Sequence, residues 1–104
     1  MNIFTRFKAY LQLRDAINTA DKAYAENGQR FYVVAAGNRK LLVLCRSDLK
    51  QLRLKHWVHH TTNVHSLISE CFYHTPHRNG NGAMSPSEFK IRKSLYYQWY
   101  AHNK

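Results

Sequence analysis

The segment Arg30-Phe31-Tyr32-Val33-Val34-Ala35-Ala36-Gly37-Asn38-Arg39-Lys40-Leu41-Leu42-Val43-Leu44-Cys45-Arg46 decides the fold of this chain. Two runs rich in Val, Tyr, Phe and Leu flank Gly37-Asn38, a pair suited to a two-residue turn of type I′ or II′, since positive φ costs Gly nothing and Asn little. The pattern predicts a β-hairpin. With Gly37-Asn38 as the turn, Val34 faces Leu41, Tyr32 faces Val43 and Arg30 faces Cys45 on one side of the ribbon. Val33 with Leu42 and Phe31 with Leu44 then lie on the other side. Both faces are apolar, unlike a hairpin with one wet face, so the ribbon needs helices on both sides or a partner molecule on one.

The flanking sequence supplies those helices. From Ile3 to about Glu26, the residues Ile3, Phe7, Tyr10, Leu13, Ile17, Ala20 and Tyr24 recur at steps of three and four, one stripe of an amphipathic helix. Phe4 and Leu11 widen the stripe, and Asn27-Gly28 ends the helix. The stripe is expected to cover the hairpin, because two strands alone are marginal in water. After the hairpin, Ser47 suits the N-cap of a helix from Asp48 to about Lys55, and Trp57-Val58 suits an extended segment closing the core.

Thr61-Thr62-Asn63 caps a short predicted helix from Val64 to about Tyr73, with Leu67, Ile68, Cys71 and Phe72 at helical spacing. A Pro and two Asn-Gly pairs mark 75–82 as a loop. Ser85-Pro86-Ser87-Glu88 reads as a capping box opening a helix to about Ala101. That helix carries one row of Phe89, Tyr96 and Tyr100 and a second of Ile91, Leu95 and Trp99, so it is expected to bury a broad aromatic face. The expected fold class is α+β: an antiparallel β-hairpin or small sheet packed by three to four α-helices in the order α-β-β-α-α-α. A single domain over 1–104 is long enough for its own core.

Sixteen Lys and Arg against six Asp and Glu give a net charge of +10, spread from Arg6 to Lys104 without a long basic run. Such a field favours nucleic acid, anionic membrane surfaces or acidic proteins as partners, and its dispersion points to basic residues studding a folded surface. No stretch approaches the roughly 20 apolar residues that span a bilayer, so no membrane span is expected. The N-terminus lacks the apolar core of a signal peptide, and the two cysteines form no Cys-x-x-Cys pair, which together suggest a cytoplasmic protein with reduced thiols. Arg6 and Lys8 beside Phe4 and Phe7 also allow the first helix to lie on a membrane surface, a reading set below that of packing on the hairpin.

Six of the seven histidines fall between His56 and His77. Cys71, His74 and His77 have a Cys-x2-His-x2-His spacing to which His59, His60 or His65 could add a fourth metal ligand. A structural zinc site usually draws ligand pairs from two separate knuckles, and Cys71 also fits the inward row of a helix. No metal and no cofactor is therefore expected, with Cys71, His74 and His77 the residues to inspect.

Catalysis finds no constellation: no paired carboxylates, no phosphate-binding Gly pattern, and two cysteines on elements that bury them. An enzyme is not expected. The preferred expectation is a non-catalytic interaction or accessory module, binding another protein or a second copy of itself through the hairpin's free edges and surplus apolar surface. The alternative is a nucleic-acid-binding protein using a basic surface, with contacts from Arg39 and Lys40 at the hairpin tip, Lys50, Arg53 and Lys55 on the second helix, and Lys90, Arg92 and Lys93 with Tyr97 on the last. Tyr96, Trp99 and Tyr100 share one helical face and belong to the core before they belong to a stacking platform.

Four groups of residues carry a resemblance: Arg30-Phe31-Tyr32-Val33; Lys40-Leu41-Leu42-Val43 with Arg46; Phe72-Tyr73-His74-Thr75-Pro76 followed by Gly80-Asn81-Gly82; and Tyr96-Tyr97-Gln98-Trp99-Tyr100. Together they resemble a family of short uncharacterised bacterial proteins over most of the chain. The resemblance implies a small cytoplasmic bacterial protein and no activity, cofactor or site residue.

Overall fold

The computed structural model describes residues 2–48 and 68–102. These form helix α1 (Ile3–Asn27), strands β1 (Phe31–Ala35), β2 (Leu41–Cys45) and β3 (Tyr73–His74), and helix α2 (Pro86–His102). The three strands make one antiparallel sheet in the order β2-β1-β3. Residues 46–48 and 68–70 are also helical, at the two places where the inner helices are expected. The fold is α+β, in the expected element order with one short strand added.

Local signals explain the ends of both long helices. Asn2 caps α1 by accepting from the Thr5 N–H at 2.8 Å, and Gly28 ends it in the left-handed conformation, its N–H donating to the Tyr24 carbonyl at 2.7 Å. Ser85 starts α2 by accepting from the Glu88 N–H through Oγ at 3.2 Å and from the Phe89 N–H through its carbonyl at 2.9 Å. The Glu88 carboxylate, expected to reach back to Ser85, turns instead along the helix to Arg92 at 2.9 Å. Helical conformation after β2 begins at residue 46, so Ser47 is not the cap. Asp48 reaches back instead, its Oδ2 accepting from the Cys45 N–H at 3.1 Å.

The hairpin forms, but one residue out of the expected register. Phe31 pairs with Cys45, Tyr32 with Leu44, Val33 with Val43, Val34 with Leu42 and Ala35 with Leu41. The turn runs over Gly37 to Lys40, closed by the Lys40 N–H donating to the Gly37 carbonyl at 3.2 Å, with Asn38 and Arg39 left-handed at φ 59° and 61°. Two successive positive φ values define a type I′ geometry, so the central pair is Asn38-Arg39 rather than Gly37-Asn38. A slip of one residue moves every β2 side chain to the opposite face. Phe31, Val33, Leu41, Val43 and Cys45 now pack with the helices, while Tyr32, Val34, Leu42 and Leu44 pack with Cys71 and Ile68.

Extended backbone replaces the expected end of the helix near Tyr73. The Phe72 N–H donates to the Val33 carbonyl at 2.8 Å and the Thr75 N–H to the Phe31 carbonyl at 3.0 Å, adding β3 to the free edge of β1. Thr75 is fully buried, and its hydroxyl accepts from the Phe31 N–H at 2.8 Å. β1 is thus paired along both edges, leaving β2 and β3 at the margins of the sheet among the described residues.

On α1 the buried positions are Ala9, Leu13, Ala16 and Ala20: Leu13 and Ala20 of the expected stripe are buried and Ile17 and Tyr24 pack partly against the core, while its N-terminal large residues Ile3, Phe7 and Tyr10 are not buried. Alanine on the inner face lets the helix backbone approach the sheet, and bulkier residues are displaced outward. Ile3 and Phe4 are 77% exposed, Phe7 59% and Tyr10 42%. On α2, Tyr96 and Tyr100 are buried while Ile91 and Leu95 are exposed, so the first expected row is the core face and most of the second is not. Tyr96 stands at the centre, with Phe72 edge-on at 5.3 Å between ring centroids.

The Tyr96 hydroxyl lies 2.7 Å from the Ala9 carbonyl and 2.9 Å from Gln12 Oε1, and Gln12 Nε2 donates to the Arg39 carbonyl at 2.7 Å. One phenol therefore links α2, α1 and the hairpin tip. Tyr96→Phe keeps the ring and removes this link. It is expected to lower unfolding stability by about 1 to 2 kcal/mol, the usual value of a part-buried hydrogen bond, measured by denaturant titration.

Candidate anion-binding surfaces

Helices α1 and α2 run antiparallel. The Arg6 guanidinium carbon lies 5.2 Å from the Tyr97 ring centroid, Lys93 Nζ lies 5.8 Å from that of Tyr10, and Leu13, Ile17 and Phe89 share a groove of about 190 Å³ further along. Their outer junction is an open groove of about 550 Å³ in which Arg6, Lys90 and Lys93 surround Tyr97. Cations that rest on aromatic faces are held in place by the ring quadrupole and still offer donors to solvent. Beside this groove α1 presents Ile3, Phe4 and Phe7, and Phe7 stacks on Tyr10 with centroids 6.5 Å apart.

The residues expected to contact nucleic acid divide into three groups. Lys90 and Lys93 come together in the groove, joined by Arg6, which sequence reading placed only on a possible membrane-facing helix. Arg92 and Arg39 make contacts within the fold. Arg92, with a side chain only 14% exposed, donates to the Cys71 carbonyl at 2.6 Å and to Glu88, tying α2 to the strand side of the fold. Arg39 lays its guanidinium 4.6 Å from the Tyr100 ring centroid and docks the hairpin tip on α2. Lys40 is exposed at the hairpin tip and does not line this groove. Lys50, Arg53 and Lys55, with Trp57-Val58 and the helix start near Val64, lie outside the described residues.

Sequence reading missed a second basic recess, where Arg30, Arg46 and Arg78 converge. The three arginines come from different segments, and no spacing rule joins them. Only the antiparallel return of β2 beside β1, and of the 75–82 loop beside the end of α1, brings them together.

Cys71, His74 and His77 do not gather. Cys71 is buried against Tyr32 and Leu44, its thiol donating to the Ile68 carbonyl at 3.6 Å; His74 is buried in β3 with Nδ1 3.2 Å from the Thr75 carbonyl; His77 is exposed on the following loop. Among the described residues no group of three or more His, Cys, Asp or Glu could hold a metal ion. The other candidates, His59, His60 and His65, lie outside the described residues. Burial pushes the Cys71 thiol above its ordinary pKa, which disfavours the thiolate a nucleophile or metal ligand needs. Burial, reinforced by a 2.7 Å hydrogen bond to Asp21, also raises the Tyr73 phenol well above its usual range.

No helix among the described residues is long and apolar enough to cross a membrane. Comparisons with protein-family models, curated proteins and solved structures give no match to this chain.

His74 gives the fold a pH dependence. Burial lowers its pKa from 6.5, opposed by the Thr75 carbonyl and assisted by the positive charges of Arg30 and Arg92, with Glu88 acting the other way. The unfolded chain therefore binds this proton at higher pH than the folded one. Stability contributed by neutral His74 is present above 6.5 and is lost as pH falls from that value through the lowered folded pKa. His74→Gln is expected to flatten the fall in thermal midpoint between about pH 7 and about pH 5 relative to wild type. Equal slopes for the two proteins would show that His74 does not contribute.

Proposed function

We propose that this protein acts by binding rather than by catalysis, as a small basic interaction module whose working face is the outer side of α1 and α2. The observation that carries the reading is the exposed ridge of Ile3, Phe4, Phe7 and Tyr10 beside the Arg6, Lys90 and Lys93 groove. A helix that leaves Ile3, Phe4 and Phe7 exposed together offers surface for something else to cover. This moves the interaction surface from the hairpin, whose central strand is paired on both edges, to the helices. A reducing, cytoplasmic setting suits the two free, buried cysteines.

Single-stranded nucleic acid is the partner class that best suits this face. Phosphates need cations spaced along a groove, which Arg6, Lys90 and Lys93 supply, and unstacked bases need accessible aromatic faces, which the exposed Phe4 and Phe7 of α1 supply. Tyr96 and Tyr100 contribute nothing here, since both are in the core.

The test is binding of labelled single-stranded DNA and RNA over a salt series. Affinity is expected to fall with salt, and Lys90→Gln with Lys93→Gln to reduce the logarithmic salt slope by roughly 1 to 2, as two phosphate contacts are lost. Phe7→Ser is expected to weaken binding with the slope unchanged. Absence of binding at low salt removes nucleic acid as the partner, and binding unaltered by all three substitutions removes this face as its site.

A further inference from the structure

The second basic recess has a volume of about 380 Å³ and is built from four separate parts of the chain: the end of α1, the start of β1, residues 46 and 47 after β2, and the loop at 77 and 78. Arg30, Arg46, Arg78 and His77 line it, and among the described residues no carboxylate does. We propose that this recess is a binding site for a terminal phosphate monoester.

Three guanidinium groups brought to one cavity repel one another, and in an unliganded protein long side chains relieve that repulsion by spreading into water. Here the backbone holds one of them, Arg30, in place. Arg30 is anchored by Nη2 donating to the Gly82 carbonyl at 2.7 Å, while its Nε is buried with no hydrogen-bond partner. Two glycines make the room: a Cβ on Gly82 would collide with Arg30 Nη2, and one on Gly28 would stand 3.4 Å from Arg78 Nε. Both adopt positive φ, 78° and 69°, and the 77–82 loop is closed by the His77 N–H donating to the Asn81 carbonyl and the Gly80 N–H to the His77 carbonyl, each at 2.8 Å. Tyr24 fixes the same loop to α1, its hydroxyl donating to the His77 carbonyl at 2.8 Å.

The ligand chemistry follows from the donor set. Guanidinium forks match phosphate oxygens in pairs, and Arg is favoured wherever such planar recognition is needed. A diester linkage offers one negative charge and two terminal oxygens, whereas a monoester offers nearly two charges and three oxygens, one for each arginine. The cavity exceeds what a phosphate alone fills, leaving space beside Tyr32 for the group that carries it. A free nucleoside monophosphate and the 5′-phosphorylated end of a nucleic-acid strand both present this chemistry. The site is separate from the α1–α2 groove and shares no residue with it.

Two matched pairs test the proposal by titration at fixed salt: adenosine monophosphate against adenosine, and a 5′-phosphorylated oligonucleotide against the same strand ending in a hydroxyl. The phosphorylated member of at least one pair is expected to bind about tenfold tighter or more, the value of one charge-assisted hydrogen bond. Arg46→Gln with Arg78→Gln, both exposed positions, is expected to abolish that preference with an unchanged thermal midpoint, while Lys90→Gln with Lys93→Gln preserves it. Preference within the oligonucleotide pair alone identifies a strand end as the ligand, and within the nucleoside pair alone a free nucleotide. No preference in either pair, or a preference that survives loss of Arg46 and Arg78, overturns the site, whatever becomes of the groove.

Discussion

The structure depends on the phenol of Tyr96. Its ring is fully buried between α1 and the sheet, and a hydroxyl in that position must find acceptors or forfeit the gain of burying the ring. It finds the Ala9 carbonyl and Gln12, and Gln12 in turn holds the carbonyl of Arg39. The same Arg39 then covers Tyr100. Two helices and the hairpin tip, with its left-handed Asn38 and Arg39, are thereby linked by one connected set of contacts.

Close packing around that centre explains which residues remain outside. Ala9, Ala16 and Ala20 face inward because α1 lies close to the strands, and an interior packed to crystal-like density leaves no space for Phe4 or Phe7 there. Their exposure leaves an aromatic ridge on the outer side of α1. The sheet takes a comparable course: β3 fills one edge of the hairpin, that of β1, while β2 stays at the margin of the sheet among the described residues.

The positive charge is likewise divided by tertiary structure. Arg92 and Arg39 serve the interior, one held by Glu88 and the Cys71 carbonyl and the other resting on Tyr100. Lys90, Lys93 and Arg6 face an open groove, and Arg30, Arg46 and Arg78 share a recess that no carboxylate among the described residues lines. A net charge of +10 thus resolves into structural arginines and two concave cationic surfaces of different shape.

Sequence by itself determined the hairpin, both long helices and the signals that bound them, because Asn2, Gly28 and Ser85 act on groups within four residues of themselves. It also determined that Tyr96 and Tyr100 belong to the core, since helical periodicity is a local property. Tertiary structure alone decided the register of the hairpin, the third strand and the inner face of α1. Each of these turns on a contact between distant residues: Gln12 with Arg39, Phe72 and Thr75 with β1, and alanines with the sheet. It decided the basic sites for the same reason. Lys90 and Lys93 were legible as one turn of a helix, but Arg6 joins them only because α1 and α2 run antiparallel, and Arg30, Arg46 and Arg78 meet only because the strands and loops return to one end of the sheet.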